Sequence, residues 1–93
     1  MVGIYFMAWV YILRSNRDGR FYIGSTTDIK SRLKHHAGGF THSTRRFGGS
    51  RCVFLQEYEM LREARAIEQR LKKLKRKDYI ENIVKEGKIN MRP

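Results

Sequence analysis

The sequence predicts a mixed fold, α/β in the α+β sense, with a three-stranded and mainly antiparallel sheet flanked by about three helices. Three observations predict it. Two short apolar, β-rich runs flank a connection containing Asp18-Gly19. A third such run stands alone past mid-chain. Around these runs, apolar residues recur at helical spacing.

Residues 8 to 14 (AWVYILR) make the first strand, bounded by the turn Ser15-Asn16-Arg17-Asp18-Gly19. Residues 20 to 24 (RFYIG) resume the extended pattern, and the short Asp-Gly connection joins the two as a hairpin. Asp28 can cap a helix carrying Ile29, Leu33 and Ala37, which Gly38-Gly39 ends. Residues 38 to 50 are rich in glycine, hydroxyls and arginine and read as a mobile loop. Residues 51 to 58 (RCVFLQEY) form the third strand. From Glu59 to Lys75 an amphipathic helix sets Leu61, Ala64, Ile67, Leu71 and Leu74 on one face. Asp78 caps a last helix with Ile80, Ile83 and Val84, stopped by Gly87. The whole chain, 1–93, reads as one domain with its core at about 7–86, without repeat, linker or low-complexity segment.

The formal net charge is +11 on 93 residues. Such a charge costs stability through self-repulsion, and a polyanionic partner explains it. Nucleic acid comes first because the charge is spread over several elements. An anionic membrane, an acidic protein or a generic basic role beside the ribosome would explain the charge alone. Cys52 is the only cysteine, so no internal disulfide forms, and its apolar run marks it as a core residue in a reducing, cytoplasmic setting. The apolar run from Ile4 to Leu13 is half the ~20 residues that span a bilayer, and no basic segment precedes it. It reads as a buried strand.

Several residues carry chemistry. Arg32 and His36 fall one helical turn apart, a phosphate-holding group beside a proton carrier, or simply a solvated basic face. Tyr11 and Tyr22 lie in neighbouring strands of one hairpin. A phenol beside a metal or several cations can ionise and act as a base. The same two rings could merely pack across the sheet. Glu68 sits at the edge of the apolar helical stripe. From Arg62 to Lys77 there are eight basic residues and two acidic ones, Glu63 and Glu68. A carboxylate so placed suits a hard divalent cation, or pairs along the helix with Lys72. Glu63 points elsewhere and reads as a surface ion-pair partner.

Together these residues resemble the GIY-YIG nuclease superfamily, in particular its small stand-alone bacterial proteins related to the N-terminal domain of the excision-repair nuclease. The second half of the name motif is literal: Tyr22-Ile23-Gly24. The letters Gly3-Ile4-Tyr5 also occur, but Tyr5 leaves sixteen residues before Tyr22. Val10-Tyr11-Ile12 leaves ten, matches the family spacing and lies in the predicted strand, so Tyr11 is the counterpart. Met7 would then start the domain, with residues 1 to 6 as an upstream extension. Arg32 follows Gly24 by eight positions and His36 falls four further on, as in the family. Glu68 matches the metal-binding glutamate, and Asn90 the asparagine that often ends the domain. Ser25-Thr26-Thr27 departs from members that carry a lysine after the glycine, which leaves open what takes that lysine's part.

The resemblance implies a metal-dependent endonuclease that hydrolyses DNA phosphodiesters, single-stranded or branched DNA included, with RNA left open. Its catalytic set would be Tyr11, Tyr22, Arg32, His36 and Glu68, with Gly24 supporting them. Glu68 would hold Mg²⁺ or Mn²⁺, Arg32 would stabilise phosphoryl charge, and Tyr11 is favoured as the base that activates water. Substrate contacts would come from Ser25, Thr26, Lys30, Lys34, His42, Ser43, Thr44, Arg45, Arg46, Arg70 and Lys73. Phe40 and Phe47 are candidates to stack on bases, and Tyr58 more a core residue. No membrane or nucleotide cofactor is expected, and a bacterial cytoplasmic, nucleoid-associated location is. The competing reading is a non-catalytic nucleic-acid-binding module of the same fold. A ribosome- or protein-binding adaptor would explain the charge but not the set.

Overall fold

The computed structural model describes residues 7–32 and 50–91. Three strands, β1 (Ala8–Ser15), β2 (Phe21–Thr26) and β3 (Ser50–Tyr58), form a sheet in the order β2-β1-β3. Both pairings are antiparallel, as predicted. Two helices follow, α1 (Leu61–Leu74) and α2 (Lys77–Glu86). A helical turn at residues 29–32 begins the segment expected after β2. No helix among the described residues is long and apolar enough to cross a membrane.

The β1–β2 hairpin closes through local polar chemistry. The Ser15 N–H donates to the Arg20 carbonyl at 2.8 Å, and Gly19 takes a positive φ of 73° that glycine adopts without penalty. Ser15 Oγ accepts the Arg17 N–H, and Asp18 Oδ1 accepts that of Arg20. In β1, Ala8, Val10 and Ile12 point to one face and are fully buried against Ala64, Ile67 and Leu71 of α1. Phe54, Ile80, Ile83 and Ile89 complete this core. Each buried Val, Leu, Ile or Phe side chain among these contributes about 1.5–3 kcal/mol on leaving water. Tyr58 packs against its margin, its hydroxyl accepting from Gln56.

Four expectations need correction. Cys52 is exposed, not core. The register shifts between Ile12 and Leu13: Ile12 faces Phe54 while Leu13 faces Cys52, leaving Val53 as an extra residue. This bulge breaks the strand's alternation, and the sequence carries no sign of it. Asp78 does not cap α2. The cap position is Arg76, and Asp78 sits in the first turn, bonded to the Arg76 guanidinium at 2.7 Å. Glu63 forms no ion pair among the described residues; its carboxylate turns back to accept the Met60 N–H at 3.1 Å and caps α1. Leu74 is exposed where α1 ends in left-handed Lys75. Elsewhere the local signals hold. Asp28 Oδ1 accepts the Ser31 N–H as the cap of the helical turn, and Gly87, at φ 79°, ends α2.

Candidate active site

The pairing register decides what meets what. Tyr11 lies opposite Gly24 and Leu13 opposite Tyr22, so Tyr11 and Tyr22 are diagonal neighbours on the sheet face turned away from α1. They differ in environment: Tyr11 is 6% exposed and Tyr22 40%. Gly24 explains the reach of Tyr11. A Cβ at position 24 would lie 2.3 Å from Tyr11 Cζ and from its hydroxyl oxygen, far inside contact distance. The ring therefore lies directly over the glycine, across β2. No other residue type leaves room for it.

Ser25, one residue on, points to the opposite face, where α1 packs. Its hydroxyl donates to Glu68 Oε1, tying β2 to the middle of α1. Glu68 Oε2 accepts from Lys72 Nζ at 2.6 Å, the i,i+4 pair that the helix spacing allowed. The Glu68 side chain is only 14% exposed, so its charge is held by two specific partners rather than by bulk water.

Electrostatics connect the two faces across the β2 edge. Burial pushes the Tyr11 phenol above its ordinary value. Arg32 and Lys72 pull it down, and the Glu68 carboxylate pushes it up. Tyr11, Arg32, Glu68 and Lys72 thus share one field, although they come from β1, the helical turn and α1. Arg32 is exposed and lines a shallow hollow with Thr26, Asp28 and Ser31. Its placement is set by Asp28, whose carbonyl accepts the Arg32 N–H at 3.1 Å and whose own N–H donates to Thr26 Oγ1 at 3.0 Å.

The structure thus brings Tyr11, Gly24, Ser25, Arg32 and Glu68 together, with Tyr22 beside them. Lys30 is exposed on the same helical turn. Arg70 and Lys73 are exposed on α1, and neither lines the hollow beside Arg32. Asn90 is exposed, and its neighbour Ile89 bonds Gln56 on β3, beyond β1 from β2. Lys34, His36, Phe40, His42, Ser43, Thr44, Arg45, Arg46 and Phe47 lie outside the described residues, as does the loop predicted around them. Sequence reasoning underrated Lys72. Its spacing from Glu68 was legible, but its proximity to Tyr11 depends on how α1 docks on β2.

Three comparisons bear on this arrangement. The family model described as "GIY-YIG catalytic domain" matches residues 7–82. A UPF0213 protein of Streptococcus pneumoniae serotype 4 is 37% identical over 70 residues, covering 74% of this chain and 70% of that protein. A UPF0213 protein of Clostridium perfringens is 35% identical over 78 residues, 83% of each chain. No solved structure matches at a significant level. The matched span contains the hairpin, the helical turn and α1, the elements that assemble the site, and the chain belongs to the GIY-YIG nuclease family.

Proposed function

We propose that this protein is a metal-dependent endonuclease that hydrolyses DNA phosphodiesters with Tyr11, Tyr22, Arg32, His36 and Glu68 as its catalytic residues. The observation that carries the reading is the convergence of Tyr11 and Glu68 at the β2 edge. A glycine is required for one of them to pass, and a serine holds the other.

The donor set fits a hard dication. Glu68 is a largely buried carboxylate among cations, and the described residues hold no cluster of three or more His, Cys, Asp or Glu. One carboxylate with water filling the remaining positions is the habit of Mg²⁺, and Mn²⁺ accepts the same ligands. Held by Glu68, such an ion would supply polarisation of the phosphate and charge stabilisation on the departing oxygen. Ser25 holds the Glu68 carboxylate in place, and Lys72 neutralises it at Oε2. Arg32 stabilises charge that develops on the phosphoryl oxygens. Tyr11 accepts the proton of the attacking water as the bond from phosphorus to the sugar oxygen breaks. Tyr22 and His36 position water and phosphate. Cations of the helical turn and α1, Lys30, Arg70 and Lys73 among them, supply the salt-sensitive part of binding.

The alternative, a module that binds nucleic acid without cutting, draws on one observation: Lys72 already neutralises Glu68. One assay separates the two. Labelled single-stranded, duplex and flapped DNA, and RNA, are incubated with Mg²⁺, Mn²⁺ or chelator beside Glu68→Ala. We expect metal-dependent cutting that the variant loses while it still binds. Cutting in chelator, or equal cutting by the variant, rejects the mechanism. Binding without cutting on every substrate favours the module.

A further inference from the structure

A second concavity, of about 530 Å³, runs along the outer edge of β2 towards the start of α2. Its floor is apolar, made by Phe21, Ile23, Leu71 and Ile80. Its rim is cationic, with Arg20, Lys72, Lys75, Arg76 and Lys77. Among the described residues, no carboxylate lines it. We propose that this groove seats one nucleotide of the substrate strand, with the base turned out of the stack onto the apolar floor and its phosphates on the rim. The proposal rests on the nuclease reading for its place beside a scissile bond, and on the groove's own chemistry for the ligand.

Four features support it. First, the groove joins the candidate active site: Tyr22 lines it, and Lys72 reaches from it to Glu68. A strand with one phosphate at Glu68 therefore has its neighbouring nucleotide in reach. Second, an apolar floor ringed by cations matches the two halves of a nucleotide, a flat uncharged base and an anionic backbone. An acidic peptide would match the rim but leave the floor unused unless it also carried an aromatic side chain. Third, the rim keeps unspent charge. Arg20, Lys72 and Arg76 are paired with Asp18, Glu68 and Asp78. Lys75 and Lys77 have no ion-pair partner among the described residues. Fourth, Lys75 holds a left-handed backbone, φ 49°, at the end of α1, where glycine would sit without strain. A lysine there keeps a cation on the rim at some conformational cost. Arg14, outside the groove, stacks its guanidinium 4.9 Å from the Phe21 ring centre and steadies the floor.

The test is binding, measured in EDTA so that cutting does not intervene. The probe is a fluorescein-labelled thymidine strand of about 12 nucleotides, within the span such grooves cover. An abasic residue is moved along it one position at a time. We expect one position at which the missing base weakens binding roughly tenfold, with smaller effects elsewhere. Phe21→Leu, folded by circular dichroism, should flatten that difference while still binding the abasic strand. Lys75→Asn with Lys77→Gln should weaken intact and abasic strands alike and lower the slope of log affinity against log salt by about 1.4. A flat abasic scan overturns the base seat. An unchanged salt slope overturns the rim and leaves the groove to an acidic protein segment. Because no cutting is read, loss of the nuclease reading and loss of this proposal are separate results.

Discussion

The two faces of the sheet are built on different principles. The face towards α1 is a matter of bulk: Ala8, Val10 and Ile12 meet Ala64, Ile67 and Leu71, and all are at most 1% exposed. The other face is a matter of room. There Tyr11 lies where a single methyl group at position 24 would stand. A packed face tolerates many apolar solutions of similar volume. A face whose function rests on an absent side chain tolerates one.

Four substitutions break or sharpen that contrast, from the largest expected effect down. Tyr11→Phe removes a hydroxyl and little volume. As loss of a general base it should cost roughly 10²–10⁴-fold in cleavage rate, while the thermal midpoint moves little. Its pH profile adds a sign. Burial raises the phenol, so the base form gains population only as pH rises, and wild-type rate should climb through neutral pH towards the alkaline side. The variant should lose that slope; an unaltered slope assigns the proton to another group.

Ile67→Ala acts on the opposite face. It should destabilise by about 2–5 kcal/mol in urea unfolding, yet leave cleavage per folded molecule near wild type at low temperature. A matching loss of rate would mean that the faces are not separable. Gly24→Ala tests both at once. The added methyl overpacks the Tyr11 ring, which should cost about 1–3 kcal/mol of stability and displace the hydroxyl, lowering the rate as Tyr11→Phe does. Full activity in that variant contradicts the geometry at the β2 edge. Gly87→Ala is the smallest. The new Cβ meets nothing within 4 Å, so only the positive φ of 79° is strained, at about 1 kcal/mol, with no effect on cleavage.

The same contrast explains what the sequence made legible. Element identity follows from local patterns, and the strands, the hairpin turn, the Asp28 cap and the Gly87 stop are all local. The packed face was readable for the same reason, since helical spacing names Ala64, Ile67 and Leu71 without knowing their partners. Cys52 was misread because a bulge shifts alternation through hydrogen bonding between strands, and no residue type announces one at Val53. The name-motif spacing picked out Tyr11, but why Gly24 must be glycine depends on register. Ser25 looked like a contact to substrate, and its bond to Glu68 depends on where α1 docks. Lys72, visible only as the plain helical partner of Glu68, turned out to stand between the Glu68 carboxylate and the groove.

The bond from Ser25 to Glu68 spans 43 positions along the chain. A chain that has formed only its hairpin holds Tyr11, Gly24 and Ser25 but has no carboxylate beside them. On the proposed nuclease reading, cutting capacity would therefore arrive with the docking of α1, together with the burial of Ile67 and Leu71. A half-made or partly unfolded copy would carry the full positive charge and cling to DNA, yet leave it whole.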